Sequence, residues 1–547
     1  MKKILFLISF FVFSANLLAQ SPTKPRLVVG IVVDQMRYDY IYKYWDKYSK
    51  NGFRRMIDGG VFCRNAHYNY MPTYTGPGHA SIYTGTTPAT HGIVANDWYD
   101  RGLERSVYCA EDTTVATVGS RTLAVGRMSA QRLLTTTITD ELKMATQKRS
   151  KVVGVSVKDR GAILPAGHAA DAAYWFDDKV GAWVSSTYYM QKLPDWLTAY
   201  NKTNRPESLI PKVWNTLLPI AQYTESAADD NAFETIIKGK TAPTFPYNMD
   251  TLQKYNGLGI MRLSPFGNTY TARMAEQCVK QYEMGRDSIT DFLTVSFSCT
   301  DYAGHAFGPQ SVEVEDVYLR LDRDLAELLN YLDTTVGKDQ YTVFLTADHA
   351  AIEVPDYLKT YRIPSGRLTT KKVTADLEAF LSDKYKLDKS ANALISEVAN
   401  QYIYLDNKQL AKNNLDKQAV CNAIADWLAE HDGVAEAWTY SDIVHADNPS
   451  GMLAAVKKGF MRTRSGDVAY TLRPGWSDYA ATGTTHGSGY AYDTHVPIIF
   501  YGKNIKKNTR IDTPIAITDI APTLALLLQI QMPSGSIGVP IPLLLGE

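Results

Sequence analysis

Three stretches of this chain are apolar runs that close on an aspartate, and no other feature narrows the fold as much. They are Leu27-Val-Val-Gly-Ile-Val-Val-Asp34, Asp291-Phe-Leu-Thr-Val-Ser-Phe-Ser-Cys-Thr-Asp301 and Tyr341-Thr-Val-Phe-Leu-Thr-Ala-Asp348. A nearly continuous apolar run, as opposed to an alternating one, suits a strand covered on both faces, as in an α/β sheet. Ligands of such open sheets collect beyond the carboxyl ends of the strands. Asp34, Asp301 and Asp348 therefore stand where a site would form. His305 lies four residues after Asp301, with Gly304 between them to turn both toward one centre, and His349 follows Asp348 directly. Any one of these aspartates also reads as an ordinary turn residue. A shared ordinary cause for all of them is harder to find.

The second informative stretch is Met71-Pro-Thr-Tyr-Thr-Gly-Pro-Gly-His-Ala-Ser-Ile-Tyr-Thr-Gly85. Thr75 stands where a helix could begin, and Pro77 is tolerated because the first turn has no intrahelical donors to lose. Gly76 and Gly78 leave room above backbone N–H groups that favour an anion. Taken alone, the stretch is equally a capped helix, since Thr is a common cap. Another apolar strand, from Lys151, ends in Lys158-Asp159-Arg160. If the strand continues, the two cations point the same way. Together they would suit a dianionic group, with Arg offering a planar fork, although a solvated charged turn has the same composition. Asn96, in Asn96-Asp97-Trp98-Tyr99, brings a neutral amide donor, and His486 sits in the Gly-rich loop Ala481–Gly489. His91 and His495 read as structural. His79 either faces the core or supports the site, and is not taken as a ligand.

Charge restricts the partners. Lys plus Arg and Asp plus Glu are both 57, and the absence of a long charge run gives no support for nucleic acid or an acidic membrane as partner. Lys2 and Lys3, the apolar run Ile4–Phe13 and the small residues after it read as a secretory signal peptide over residues 1–19. The run is too short to span a bilayer, and no later segment has the length and apolarity of a membrane helix. The mature chain is expected in the periplasm or secreted. Of five cysteines, Cys63 and Cys109 are a candidate disulfide pair, and Cys299 falls in an apolar run that buries it.

Residues 38–59 read as one helix, 311–332 as another. The proline-rich region at about 178–255 and the region at about 351–480 read as insertions into a single catalytic domain spanning 20–547. The second of these carries helical patterns at 369–382 and 415–430.

Asp and His are ligands suited to zinc. Two Zn2+ ions held by this set could activate the Thr75 hydroxyl, a poor nucleophile on its own, and stabilise a leaving oxygen. Lys158, Arg160 and Asn96 would then contact the non-bridging oxygens.

The order Asp34, Thr75, Asp301-x-x-x-His305, Asp348-His349, His486 resembles the alkaline phosphatase superfamily. The motifs Val33-Asp-Gln-Met-Arg37, Pro72-Thr-Tyr-Thr75, Asn96-Asp-Trp-Tyr99, Lys158-Asp-Arg160 and Thr300-Asp-Tyr-x-Gly-His305 are similar to its secreted, phosphate-irrepressible members of the flavobacterial PafA type. The resemblance covers nearly the whole mature chain. It implies an α/β fold with an alkaline-phosphatase-like mixed sheet flanked by helices and inserted cap segments. It also implies an alkaline phosphatase acting on small-molecule phosphate monoesters through a phosphothreonine on Thr75. One zinc would be bound by Asp34, Asp348 and His349 beside Thr75, and the other by Asp301, His305 and His486. Asn96, Lys158 and Arg160 would clamp the phosphate, and the enzyme would be a monomer. Phosphodiesterase or nucleotide pyrophosphatase relatives resemble the metal site but lack the Lys/Arg pair, and they are the alternative. A non-catalytic exported phosphate-binding protein is a second one. The superfamily usually continues Asp-His-Gly, whereas Ala350 follows His349 here, which would be strained if that position needed a positive φ.

Overall fold

The three apolar runs lie side by side. The structure, a computed structural model, describes residues 23–387 and 393–541, so the expected signal peptide lies outside the described residues. Eight strands of the central sheet carry the argument: β1 (Leu27–Val33), β2 (Gly60–His67), β3 (Val152–Ser156), β4 (Ala172–Asp177), β5 (Ala182–Ser186), β6 (Asp291–Phe297), β7 (Tyr341–Thr346) and β8 (His495–Gly502). β1 pairs in parallel with β6 on one side and β7 on the other. The sheet order is Thr509–Ile511, β2, β8, β7, β1, β6, β3, β4, β5, Thr117–Val118. Its centre is parallel, while β8 is antiparallel to β7 and β5 is antiparallel to β4. Every residue of β1, β6 and β7 is buried, as expected for strands covered on both faces. This is the mixed sheet flanked by helices that the resemblance implies.

Four helices bear on the site: α1 (Thr75–Thr84), α2 (Asp159–Ala166), α3 (Cys299–Phe307) and α4 (Val312–Leu332). All ten residues of α1 are buried, so it has no solvent face and needs no amphipathic pattern. α4 is the opposite case. Its Val314, Val317, Leu321, Leu325, Leu328 and Leu332 recur at helical spacing along the covered face. It starts at Ser311, whose hydroxyl accepts the Val314 N–H at 3.2 Å.

Between β7 and β8 the chain builds a second sheet of four antiparallel strands, Ile395–Ala399, Tyr402–Leu405, Val468–Leu472 and Val434–Thr439 in that spatial order. Helices Thr370–Tyr385 and Lys417–Glu430 cover it. Val373, Leu377, Ile403, Val420, Ile424 and Val468 form a core separate from that of the main sheet.

The segment after β5 has little regular structure and is held by polar anchors. Asp316 of α4 accepts the Trp214 indole N–H at 2.7 Å, the Leu217 N–H at 2.6 Å and the Tyr223 hydroxyl at 2.6 Å. One buried carboxylate thus satisfies three donors of a chain that has no ladder to satisfy them.

Three expectations need correction. Residues 38–59 are not one helix but short pieces at Tyr40–Lys43, Trp45–Lys47 and Phe53–Asp58. The break is imposed by Asp322, which takes the Ser49 N–H at 2.7 Å and the Phe53 N–H at 2.8 Å, and Gly52 packs against it too closely for a side chain. Cys63 and Cys109 do not pair. All five cysteines are free and buried, with Cys63 on β2 in the main core and Cys109 in a small cluster under α1. Cys299 is buried as expected, but it opens α3 and does not extend a strand.

Replacing Asp316 by alanine takes away the acceptor of the Trp214 indole and of the Tyr223 hydroxyl, and one of the two acceptors of the Leu217 N–H. An unsatisfied buried group costs about 1–3 kcal/mol, so Asp316→Ala should lose roughly 3 kcal/mol or more in urea unfolding, and Asp316→Asn clearly less. Equal losses for the two variants would refute the anchor.

Candidate active site

Each element that ends near the centre of the sheet contributes one or two side chains. Asp34 follows β1 directly. Its N–H donates to Phe297 O at 3.1 Å and its carbonyl accepts the Thr300 hydroxyl at 2.5 Å, which ties the end of β1 to the start of α3. Asp301 and His305 are one turn apart on α3 and face the same way by helical spacing. Contrary to the expectation, Gly304 does not turn the chain between them but lies inside the helix. It leaves room for the Gln35 side chain, whose amide oxygen a Cβ there would overlap. Asp348 and His349 follow β7.

α1 rests on this end of the sheet. A Cβ on Gly78 would overlap the Asp348 carbonyl, so glycine lets the helix start lie against the loop that carries Asp348 and His349. Tyr74 is the cap residue, in extended backbone, and Thr75 is the first helical residue with no capping hydrogen bond. The Thr75 hydroxyl is therefore not consumed as a cap. It lies 3.4 Å from His349 Nε2 and 3.5 Å from Arg160 Nη2, and the residue is 1% exposed. The Gly76 N–H is not a free anion donor either. It donates to Asn96 Oδ1 at 2.8 Å, which turns the amide so that its NH2 is the group left over.

Lys158 and Arg160 reach the site by a different route from the one expected. The strand does not continue: β3 ends at Ser156, Lys158 is the extended cap of α2, and Arg160 is in its first turn. The Lys158 ammonium lies 2.8 Å from Asp34 Oδ2 and 2.5 Å from Asp301 Oδ2, on the carboxylates. Arg160 is the cation beside Thr75. Its Nη1 donates to the Tyr108 hydroxyl at 3.0 Å, and that hydroxyl donates to Asp159. Tyr108 was invisible in the sequence, since nothing in its neighbourhood marks it.

The three histidines share one arrangement. Nδ1 of His305 donates to Thr484 O at 2.7 Å, that of His349 to Ala350 O at 3.0 Å and that of His486 to Thr73 O at 2.8 Å. A carbonyl at Nδ1 selects the tautomer whose Nε2 lone pair is free, the form a metal takes. Two groups of ligand atoms result, Asp301, His305 and His486, and Asp34, Asp301 and His349, each with its atoms within 4.8 Å of one another. Asp348 borders the second group, with Oδ2 at 3.6 Å from His349 Nε2. Asp34 Oδ1 and Asp348 Oδ2 are buried and accept no hydrogen bond, while Asp34 Oδ2 meets only the Lys158 ammonium. Buried carboxylate oxygens without donors are costly unless a cation meets them. The donor set fits divalent metal ions.

The charges respond to this crowding. Burial, then the neighbouring Asp348 charge, pushes the Asp34 carboxyl well above the usual range. Burial also opposes ionisation of Asp301, but His305 and Lys158 outweigh it and hold its pKa well below normal. Asp348 is likewise lowered against burial, by His349 and His79. Lys158 is buried yet kept protonated by Asp301 and Asp34. Burial, with His349 and His305 adding to it, pushes His486 well down toward the neutral form.

The remaining histidines divide clearly. His79 Nδ1 donates to Thr75 O at 2.9 Å and lies 3.3 Å from Asp348 Oδ2, so it supports the site from α1. His91 is structural, 2.9 Å from the Ser81 hydroxyl and accepting the Ile93 N–H. His495 stacks on Tyr38 and bonds Arg64 O. Ala350 is not among the residues with positive φ, and its N–H donates to Asp493 O at 2.8 Å, so alanine carries no strain there.

The seat of α1 can be tested directly. Gly78→Ala should cost roughly 1–3 kcal/mol by overpacking, read as a lowered melting temperature. An unchanged melting temperature would mean that the helix start does not depend on this close approach.

Comparison with known proteins now bears on this geometry. The profile of the family described as type I phosphodiesterase / nucleotide pyrophosphatase matches residues 28–495. The chain is 44% identical over 526 residues to alkaline phosphatase PafA of Elizabethkingia meningoseptica, covering 96% of this chain and 95% of the relative. It is 42% identical over 538 residues to a Myroides odoratus protein described as a calcium-transporting ATPase, covering 97% and 96% of the two chains. Among the described residues no helix is long and apolar enough to cross a membrane. The crystal structure of wild-type PafA superposes with a TM-score of 0.93 at 44% identity, over 96% of this chain and 100% of that one. With this sheet, these two ligand groups and this likeness along nearly its full length, the chain belongs to the type I phosphodiesterase / nucleotide pyrophosphatase family, among the hydrolases of the PafA alkaline phosphatase type.

Proposed function

We propose that this protein is an exported, zinc-dependent phosphatase that hydrolyses small-molecule phosphate monoesters through a covalent phosphothreonine on Thr75. The observation that carries the reading is the state of the Thr75 hydroxyl: buried, free of any capping role, and flanked by His349 Nε2 at 3.4 Å and Arg160 Nη2 at 3.5 Å. A hydroxyl that caps nothing and faces a metal-type histidine on one side and a guanidinium on the other is suited to attack an anionic phosphorus centre.

In the first step Thr75 gives up its hydroxyl proton to solvent, Oγ1 forms a bond to phosphorus and the ester P–O bond breaks, the departing oxygen taking a proton from water to leave as the alcohol. In the second step a water oxygen attacks the same phosphorus and loses a proton, the Thr75 Oγ1–P bond breaks, Oγ1 regains a proton, and phosphate leaves. Arg160 presents two N–H groups to the equatorial oxygens, with Tyr108 and Asp159 holding the guanidinium in place. The Asn96 NH2, turned outward by the Gly76 N–H, is a third donor. Lys158 lies on Asp34 and Asp301, and its backbone begins the helix that carries Arg160. Asp34, Asp348 and His349 would hold one zinc and Asp301, His305 and His486 the other, supplying Lewis acidity at the nucleophile and at the departing oxygen. Zinc is favoured by the mixture of imidazole and carboxylate donors. The N-terminal segment, read as a secretory signal, supports export to the periplasm or beyond, and nothing in the reading requires more than a monomer.

The family description also names phosphodiesterases. The side chains beside Thr75 favour the monoester, because a dianionic phosphoryl gains more from Arg160 and its neighbours than a singly charged diester does.

The test compares an aryl phosphate with its methyl diester. The kcat/KM should be higher for the monoester, and Arg160→Ala should lower it by about 10²–10³-fold while affecting the diester much less. Thr75→Ala should abolish turnover by about 10³-fold or more with zinc still bound, and chelation should remove activity that added zinc restores. A parent enzyme that prefers the diester, or a Thr75→Ala variant that turns over at the parent rate, would sink the reading.

A further inference from the structure

Gln35 breaks a local rule at the centre of the molecule. It is 3% exposed and has φ +62°, in the left-handed region. The Met36 N–H donates to Val33 O at 3.2 Å, closing a four-residue turn with Gln35 at its third position. Turns with positive φ at that position favour glycine, and a long side chain there is strained. Strain of this kind persists where surrounding contacts enforce it, and it gathers at functional sites.

Two contacts do the enforcing, and they point to different halves of the site. The Gln35 backbone N–H donates to Asp348 Oδ1 at 3.1 Å, and the side-chain Nε2 donates to Asp301 Oδ1 at 2.8 Å. Asp301 Oδ1 is also the oxygen that faces His305 Nε2 at 3.2 Å and His486 Nε2 at 3.6 Å. The amide is fitted from its far side too, since Gly304 leaves room for the Gln35 oxygen where any Cβ would overlap it. One strained residue thus holds a carboxylate from the end of β7 and a carboxylate from α3. It does so in the turn that follows β1 and contains Asp34.

We propose that Gln35 is the positioning residue that sets the two halves of the metal centre relative to each other, and that its side-chain amide fixes Asp301 for the group formed with His305 and His486. This rests on the reading of the site as a zinc centre. The positive φ serves this purpose. It lets the main-chain N–H and the side-chain amide of one residue reach two carboxylates that no regular strand or helix would present together. The amide also has the right polarity: it donates to Asp301 without adding a negative charge to a cluster that already carries three carboxylates.

Glycine separates this role from a merely structural one. If Gln35 only completes a turn, Gln35→Gly should be neutral or stabilising, because glycine is the residue the turn favours. If the amide positions Asp301, Gln35→Gly should fold with an unchanged or higher melting temperature yet release zinc more readily. The affinity loss expected for an outer partner of a metal ligand is about 10–100-fold. It is read as zinc transferred from the holoenzyme to a chromogenic chelator, independently of turnover. Gln35→Asn provides a second reading, since Asn tolerates positive φ and its shorter side chain cannot reach Asp301 from the same backbone. It should match the glycine variant in zinc release. Parent-like zinc retention in both variants overturns the proposal and leaves the function of the site intact. A parent enzyme that binds no zinc overturns the function, and the proposal with it.

Discussion

Three carboxylates gather where one ammonium group lies between them, and the rest of the molecule is built to hold that concentration of charge. Asp34, Asp301 and Asp348 are nearly inaccessible to water, and Lys158 sits on two of them. In a low-dielectric interior like charges this close repel strongly, and each buried charge also loses its hydration. The response is uneven. His305 and Lys158 hold Asp301 ionised, His349 and His79 hold Asp348 ionised, and Asp34 bears the remaining cost as a raised pKa. Such an arrangement works against folding unless cations are part of its normal state. The carbonyl-fixed tautomers of His305, His349 and His486 point to the same conclusion, because each leaves Nε2 free on the side of the carboxylates.

The scaffold delivers these groups through close backbone approaches more than through side-chain packing. β1, β6 and β7 are neighbours, so the segments that follow them arrive within bonding distance. Gly78 lets α1 lie on the Asp348 carbonyl, and Gly304 makes room for the Gln35 amide. His486 arrives on a loop from far along the chain. It is held by Thr73, only two residues before Thr75, so the histidine and the nucleophile share one support. The glycines of Thr75-Gly-Pro-Gly-His first suggested open N–H groups above an anion. Gly78 in fact serves a helix–loop contact, and the Gly76 N–H orients Asn96.

What was legible in the sequence was whatever depends on local pattern. Strands buried on both faces leave an unbroken apolar run, so β1, β6 and β7 and the aspartates beyond them could be read directly. α4 was equally readable from its helical spacing. What was not legible depends on residues far apart in the chain. The break in 38–59 comes from Asp322 on α4, and no pattern within 38–59 records it. Count and compartment alone make Cys63 and Cys109 a candidate pair, whereas the fold puts one in the main core and the other under α1. Lys158 and Arg160 both reach the site, but through the cap and first turn of a helix instead of a continuing strand, and they meet different partners, the carboxylates and the Thr75 hydroxyl. Gln35 lies inside Val33-Asp-Gln-Met-Arg37, yet only its backbone angle and its two acceptors give it a role.

The family shares one frame among esters of different charge, and this structure indicates how that division can work physically. The carboxylates and histidines belong to the ends of β1, β6 and β7 and to the His486 loop, the most constrained part of the sheet. Arg160 belongs to α2, after β3, and is steadied by Tyr108 and Asp159, none of which touches a metal-type ligand. The donors that would distinguish a dianion from a monoanion can therefore change without moving the carboxylates. Lys158 is the exception. Its ammonium bridges Asp34 and Asp301 while its backbone caps the helix that carries Arg160. On the monoesterase reading Lys158 joins the two systems through the chain itself, so replacing its side chain would disturb the charge balance among the carboxylates, whereas replacing Arg160 would disturb recognition alone.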